Sequence, residues 1–171
     1  RRLRSRMAIY VKPTRLALHF IFALGLLVYT FWFALSLLVP PSQHQPDKRV
    51  AKWILATLAV LVLQLIYGAL MAGHKAATSA PTWPDINGKI IPPNMMRSEE
   101  GLLSLIDNRI TIHFIHRGLA YLLLLMVFYF SWILLKKQTG RLLTRIKYGP
   151  AILVLIQVLL GIFAVLNSVK I

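Results

Sequence analysis

Four stretches of this chain run without a charged residue for long enough to cross a lipid bilayer, and that pattern limits the fold more than any other feature. They cover residues 16–46, 53–73, 118–135 and 148–169, the first leaving the membrane towards its end. Crossing the hydrocarbon core takes about 20 residues of helix. The last two stretches lie near the lower limit and borrow flanking residues. Lipid offers no partner for backbone N–H and C=O groups, so a spanning segment is a helix or part of a closed barrel, and these lengths fit helices. A soluble helical bundle has no room for four such segments in 171 residues that are 57% hydrophobic. The expected fold is all-α and integral to the membrane.

A net charge of +15 raises the question of nucleic acid. The placement of the charges answers it. Basic residues fall in short segments beside the spans: Arg1, Arg2, Arg4, Arg6, Lys12 and Arg15, then Lys48, Arg49 and Lys52, then Lys136, Lys137, Arg141, Arg145 and Lys147. Topology-setting charges are arranged in this way, and the expected partner is anionic lipid rather than nucleic acid. The chain has no cysteine, which excludes disulfides, iron–sulfur clusters and thiolate-ligated haem within it and leaves histidine as the strong metal ligand. Arg1–Arg6 followed by an apolar run imitates a signal peptide, but the run is too long and no small-residue cleavage site follows. The expectation is a piece of a longer membrane protein.

The chain divides into a basic tail (1–13), a transmembrane helix (14–39) closed by Pro40-Pro41, and an inner loop (40–49). A second helix (50–73) and a long outer loop (74–107) follow, then a third helix (108–135), a basic inner loop (136–147) and a fourth helix (148–171, apolar to about 169). Five basic and no acidic residues in the 136–147 loop put the short loops on the cytoplasmic side, with Trp53, Trp132 and Tyr148 as an inner aromatic belt. The tail at Arg1–Arg6 pulls the other way. The long loop holds four of the five acidic residues, Asp85, Glu99, Glu100 and Asp107. Its Pro81-Thr82-Trp83-Pro84 run and Asn87-Gly88 turn predict a shaped element, a lid or binding segment rather than a loose connector. Ser98-Glu99-Glu100 ahead of Leu102, Leu103, Leu105 and Ile106 predicts a short helix on the membrane surface. A faint repeat relates Arg15…His19-Phe20-Ile21 to Arg109…His113-Phe114-Ile115, and Gln64…Gly68 to Gln157…Gly161.

The residues that suggest chemistry are histidines. His116 and Arg117 stand just inside the third span, where polar residues are costly and usually functional. An imidazole there predicts an iron ligand, and the arginine a partner for a carboxylate or propionate. His19 is the other histidine beyond a first turn of a span. Counting helical rise puts His19 and His116 at similar depth. The simplest pairing clamps one haem between them, whereas a plain structural role would make either an interhelical hydrogen bond. His113 shares the face of His116 and is expected to bond a propionate, tune the ligand or lie at the interface. His74 and His44 read as loop residues. Gln64 and Gln157 read as interhelical hydrogen bonders, and Gly68, Ala72, Gly161 and Ala164 as close-packing positions. No paired carboxylates lie in the spans, and no nucleophile with a base at a motif spacing or phosphate loop appears, so no catalytic side chain is assigned and any chemistry must come from a cofactor.

Three stretches resemble the haem A synthase family: Arg15-Leu16-Ala17-Leu18-His19; the run from Gly68 to Ala76 leading into Thr82-Trp83-Pro84; and Phe114-Ile115-His116-Arg117. The likeness covers nearly the whole chain after the basic tail. It implies spans four to seven of a pseudo-symmetric eight-helix protein built of two four-helix bundles, each holding a haem between two histidines. It also implies an oxidoreductase that converts the C8 methyl of haem O to a formyl group for cytochrome oxidase. His116 then matches a ligand of haem b, and His19 a ligand of the substrate haem O in the other bundle. Arg117, and less directly Lys75, match propionate partners. Implied partners are the lipid bilayer, haem O synthase and cytochrome oxidase assembly factors, in a bacterial plasma membrane. The chain departs from the family in having His113 where glutamine is usual and no cysteine pair in its outer loop; His74 is not a family ligand position. Two other readings remain open from sequence: a b-type electron-transfer cytochrome or haem-bearing anchor with one haem between His19 and His116, and a non-redox transporter or scaffold.

Overall fold

The computed structural model describes residues 12–38, 47–93, 95, 101–136 and 147–167. The Arg1–Arg6 tail, the Pro40-Pro41 stop, His44, the Ser98-Glu99-Glu100 helix start, positions 137–146 of the basic loop and the last four residues lie outside the described residues.

Among the described residues there are four long helices, α1 (Pro13–Leu38), α2 (Lys48–Gly73), α4 (Arg109–Lys136) and α5 (Gly149–Leu166), with one short α-helical turn, α3 (Ser104–Asp107), between α2 and α4. Each long helix is apolar and long enough to span a bilayer. The chain is an all-α integral membrane protein. Where the helices start follows local chemistry. The Asp47 carboxylate accepts the N–H groups of Arg49 (2.9 Å) and Val50 (3.1 Å), so α2 opens two residues before the apolar pattern does. Asn108 caps α4 in the same way through Ile110 (2.9 Å) and Thr111 (3.2 Å). A Thr111 hydroxyl bond to the Met95 carbonyl ties the same turn to the outer loop.

Consecutive long helices pack as antiparallel neighbours, α1 on α2, α2 on α4 and α4 on α5. Small residues permit the approach, as lipid-embedded helices require. Ala17 and Ala69 meet in a cluster with Leu70, Ala76 and Ile112. Gly73 lies so close to Pro13 that a side-chain carbon there would stand 2.7 Å from its Cβ. At the opposite end, the Trp53 indole donates to the Met126 carbonyl (3.3 Å) and meets Tyr129 edge-on at 4.8 Å. Lys136 lies 3.7 Å from the Trp132 ring centre. This aromatic and basic rim is what a membrane–water boundary selects. Elsewhere large apolar side chains point outward, Phe22, Trp32 and Leu38 all more than 70% exposed. In lipid that costs nothing, since acyl chains replace the protein contacts.

Candidate functional site

Between α2, α4 and α5, below the outer loop, lies a cavity of about 660 Å³ whose rim is completed by Leu16 and Phe20 of α1. That volume is in the range of sites for sizeable organic ligands, roughly 300–1,000 Å³. The sequence pattern explains why the space exists. Gly68 and Ala72 of α2 and Gly161 and Ala164 of α5 all line it. Gly68 keeps its expected role as a contact point, a carbon added there standing 3.4 Å from His116 Cε1, but at Gly161 that role is corrected: an added carbon meets nothing within 4 Å. Bulky side chains at these positions would fill the cavity. Gly73 makes a closer helix-to-helix contact.

His116 projects into this space about 10 Å along α4 from its first residue. Its Nε2 lies 3.4 Å from the Gln64 amide nitrogen, at the long limit for a hydrogen bond, and its Nδ1 is buried without a partner. Gly68 lets the ring lie flat against α2, with the position of a Cβ there 3.4 Å from His116 Cε1. Gln64 makes the interhelical contact expected of it, although its Oε1 is also unpartnered. Gln157 faces the same cavity from α5.

His113, one turn earlier, is completely buried and also borders the cavity. The Arg117 Nε–H donates to His113 Nε2 at 2.9 Å. With that nitrogen acting as acceptor, the neutral ring carries its proton on Nδ1, which is likewise buried and unpartnered. The remainder of the Arg117 guanidinium is turned to the outer loop. It donates to the carbonyls of Asp85 (2.7 Å), Thr82 (2.5 Å) and Ala80 (3.5 Å).

That loop is ordered by its own bonds. The Asn87 amide donates to the Thr82 hydroxyl (2.8 Å) and the Gly88 amide to the Asp85 carboxylate (3.0 Å), while Ile86 and Lys89 pair as an isolated bridge. Asn87 and Gly88 adopt positive φ, as an Asn-Gly turn favours. The Gly88 amide and the Thr82 hydroxyl, with the Arg117 charge behind them, hold the Asp85 carboxyl below the ordinary carboxylate range. Trp83 lies against the cavity and donates to the Tyr121 hydroxyl of α4 at 3.0 Å. Of the expected surface helix, the described residues show one 3₁₀ turn, Gly101–Leu103, and α3.

His19 is elsewhere. It is exposed on the flank of α1 and is not part of the cavity wall, whereas Leu16 and Phe20 are. A single haem clamped by His19 and His116 is therefore not what this arrangement forms. His74 closes α2, near the Leu70 carbonyl (3.1 Å) and 3.6 Å from Asp107, and Lys75 is exposed away from the cavity.

The family model described as cytochrome oxidase assembly protein (COX15-CtaA) matches residues 3–171. The chain belongs to that family. Among its relatives, a protein named heme A synthase from Bradyrhizobium sp. (strain ORS 278) is 32% identical over 163 residues, covering 94% of this chain and 45% of the relative. Proteins of the same name from Pelagibacter ubique (strain HTCC1062) and Flavobacterium johnsoniae are 31% and 33% identical, over 94% and 93% of the chain and 46% and 47% of their own lengths. The chain thus spans less than half the length of the curated relatives it matches. No solved structure matches it. The relatives are bacterial, and with four spanning helices the chain is an integral protein of a bacterial membrane.

The donor set in the cavity fits haem on one side. Two histidines, His113 and His116, line its largely apolar wall, and His116, whose ring Arg117 does not engage, is the one that would hold a haem iron. Among the described residues the other histidine on that wall, His113, is taken up by Arg117, so a second ligand would come from elsewhere.

Proposed function

We propose that this chain is the central part of a haem A synthase, an oxidoreductase of the bacterial plasma membrane that converts the C8 methyl of haem O to a formyl group. His116 would hold the iron of a resident haem b in the α2–α4–α5 cavity. His19, on the outer flank of α1, is one ligand of the substrate haem O in a second bundle whose other helices lie outside this sequence. Bound in these positions, haem supplies a redox-active iron, which no side chain of this chain can provide. The residues here would set its surroundings: small residues make the slot, His116 lines it with an imidazole, and the Trp83 loop covers one end. Haem O synthase and cytochrome oxidase assembly factors are the partners such an enzyme meets in the bilayer.

The observation that carries this reading is the separation of the two histidines. One faces an apolar cavity of haem-like character and the other an open helix flank, which suits two haems and not one. The polar-contact alternative finds support only in the long His116–Gln64 approach, which leaves Nδ1 of the ring unused.

The test is to purify the full-length protein that contains this chain and extract its pigments. Haem b is expected together with some haem O or haem A, and supplied haem O should be converted. His116→Ala should lose the permanent haem, while His19→Ala should keep it and block conversion. Loss of the same single haem in both variants would overturn the assignment.

A further inference from the structure

Three backbone carbonyls within six residues of the outer loop, those of Ala80, Thr82 and Asp85, converge on one guanidinium. Arginine carries five N–H donors in a planar fork. In Arg117 one of them goes to His113 and three to the loop, which leaves a single NH1 hydrogen. An arginine that paired a propionate side by side would need two parallel donors free on one edge. None of its edges is free in that way. The loop also needs the arginine: it curls over the end of a membrane helix, where a carbonyl without a donor is costly.

We propose that Arg117 is a positioning residue that fastens the 80–88 loop as a fixed roof on the cavity, with His113 as the stop that orients its guanidinium, rather than a propionate partner. The proposal deepens the haem reading, because the roof carries Trp83 onto the cavity wall, where the indole is pinned a second time by Tyr121. His113 is suited to its part. It is completely buried, so its ring cannot swing away, and its Nε2 receives the Arg117 Nε–H, which aims the outer edge of the fork at the loop. Charge-assisted bonds of this kind are among the stronger ones a protein makes, and here they act together on one short segment.

The test is hydrogen-exchange mass spectrometry on the full-length protein, with its haem and after haem extraction, comparing the wild type with Arg117→Lys and Arg117→Gln. The amides of Ile86, Asn87 and Gly88 report the roof, since each is bonded within the loop. Lysine keeps the charge but cannot span three carbonyls and a ring nitrogen. Both variants should raise exchange at these amides on the order of tenfold or more, with haem and without it. Unchanged loop exchange in haem-free Arg117→Lys would overturn the proposal, whether or not haem binding falls. Should the Arg117 variants fail to accumulate, His113 supplies the answer. His113→Gln retains an acceptor and should keep the loop protected, His113→Leu should not, and equal protection in both would overturn it. The outcome is independent of the haem assignment: a wild-type protein without haem would sink that reading and leave the loop measurement intact.

Discussion

Gly68 offers a graded test of whether the cavity beside His116 is a ligand slot. A methyl carbon added at Gly68 would stand 3.4 Å from His116 Cε1 and 3.9 Å from Nδ1, which is ordinary contact. Replacing a helical glycine by alanine also favours the helix by about 1 kcal/mol. Gly68→Ala should therefore hold its stability or gain a little, with the imidazole undisturbed. Gly68→Leu extends three further carbons into the ring and the cavity. Inserting methylenes where side chains already touch costs about 1–3 kcal/mol. If that cost falls on the ring position needed for iron ligation, haem affinity drops roughly 5- to 150-fold. The assay is haem b content per protein from pyridine haemochrome spectra of the purified full-length protein, with thermal unfolding of the haem-free form measured alongside. The expected result is full haem in the alanine variant and strong depletion in the leucine variant, whose haem-free form should still unfold cooperatively, at a midpoint lowered by no more than this overpacking cost. Wild-type haem content in Gly68→Leu would refute the reasoning, because the iron ligand could not then be the ring that Gly68 touches.

Two further outcomes follow from features at the outer surface. Asp85 has a depressed pKa, so its contribution to the loop is complete above the ordinary carboxylate value near 3.8 and is lost only as pH falls through the lower folded-state value. Protection of the Gly88 amide, measured against the intrinsic exchange rate at each pH, should hold from pH 7 to about 4 and fall only below that; Asp85→Ala should lack it throughout, and a wild-type loss of protection setting in above pH 5 would contradict the assignment. At the α1–α2 contact, Gly73→Ala places a carbon 2.7 Å from Pro13 Cβ and 2.9 Å from its Cα, a clash with backbone that no rotamer relieves. It should lose about 1–3 kcal/mol despite the better helix former, read as a lower midpoint of thermal unfolding in detergent, and unchanged stability would mean that the two helix ends do not meet this closely.

The spans were legible because lipid imposes a simple rule, a long uncharged run for each crossing. The α2 and α4 starts could be read more finely than the apolar pattern allows, since Asp47 and Asn108 are ordinary N-cap residues ahead of each helix. His116 and Arg117 drew attention by being polar at depth, but sequence spacing could not say what the arginine faces. That depends on where a loop more than 30 positions earlier folds back. Of the small residues, Gly68 was read correctly and Gly161 was misread for a similar reason. Glycine and alanine in a span permit close helix contact or leave a cavity, and only the positions of the neighbouring helices decide which. The faint repeat misleads in part. It equates exposed His19 with fully buried His113, although its other pair, Gln64 and Gln157, does face one cavity from two helices.

The rotation of α1 keeps His19 away from the cavity that holds His116. Successive residues of a helix turn by about 100°, which places Pro13, Leu16, Ala17 and Phe20 on one face and His19 roughly 100° away from the middle of it. That face is committed. Pro13 meets Gly73, Ala17 is 6% exposed within the α1–α2 core, and Leu16 and Phe20 close the cavity rim. To bring the His19 ring to the cavity, α1 would have to turn by that same angle, carrying Ala17 out of the core and Pro13 off Gly73. A shared iron would therefore cost the whole α1–α2 interface. Leaving α1 as it is keeps that interface and points His19 at whatever packs on the open flank, which is the geometry the proposed two-haem reading needs.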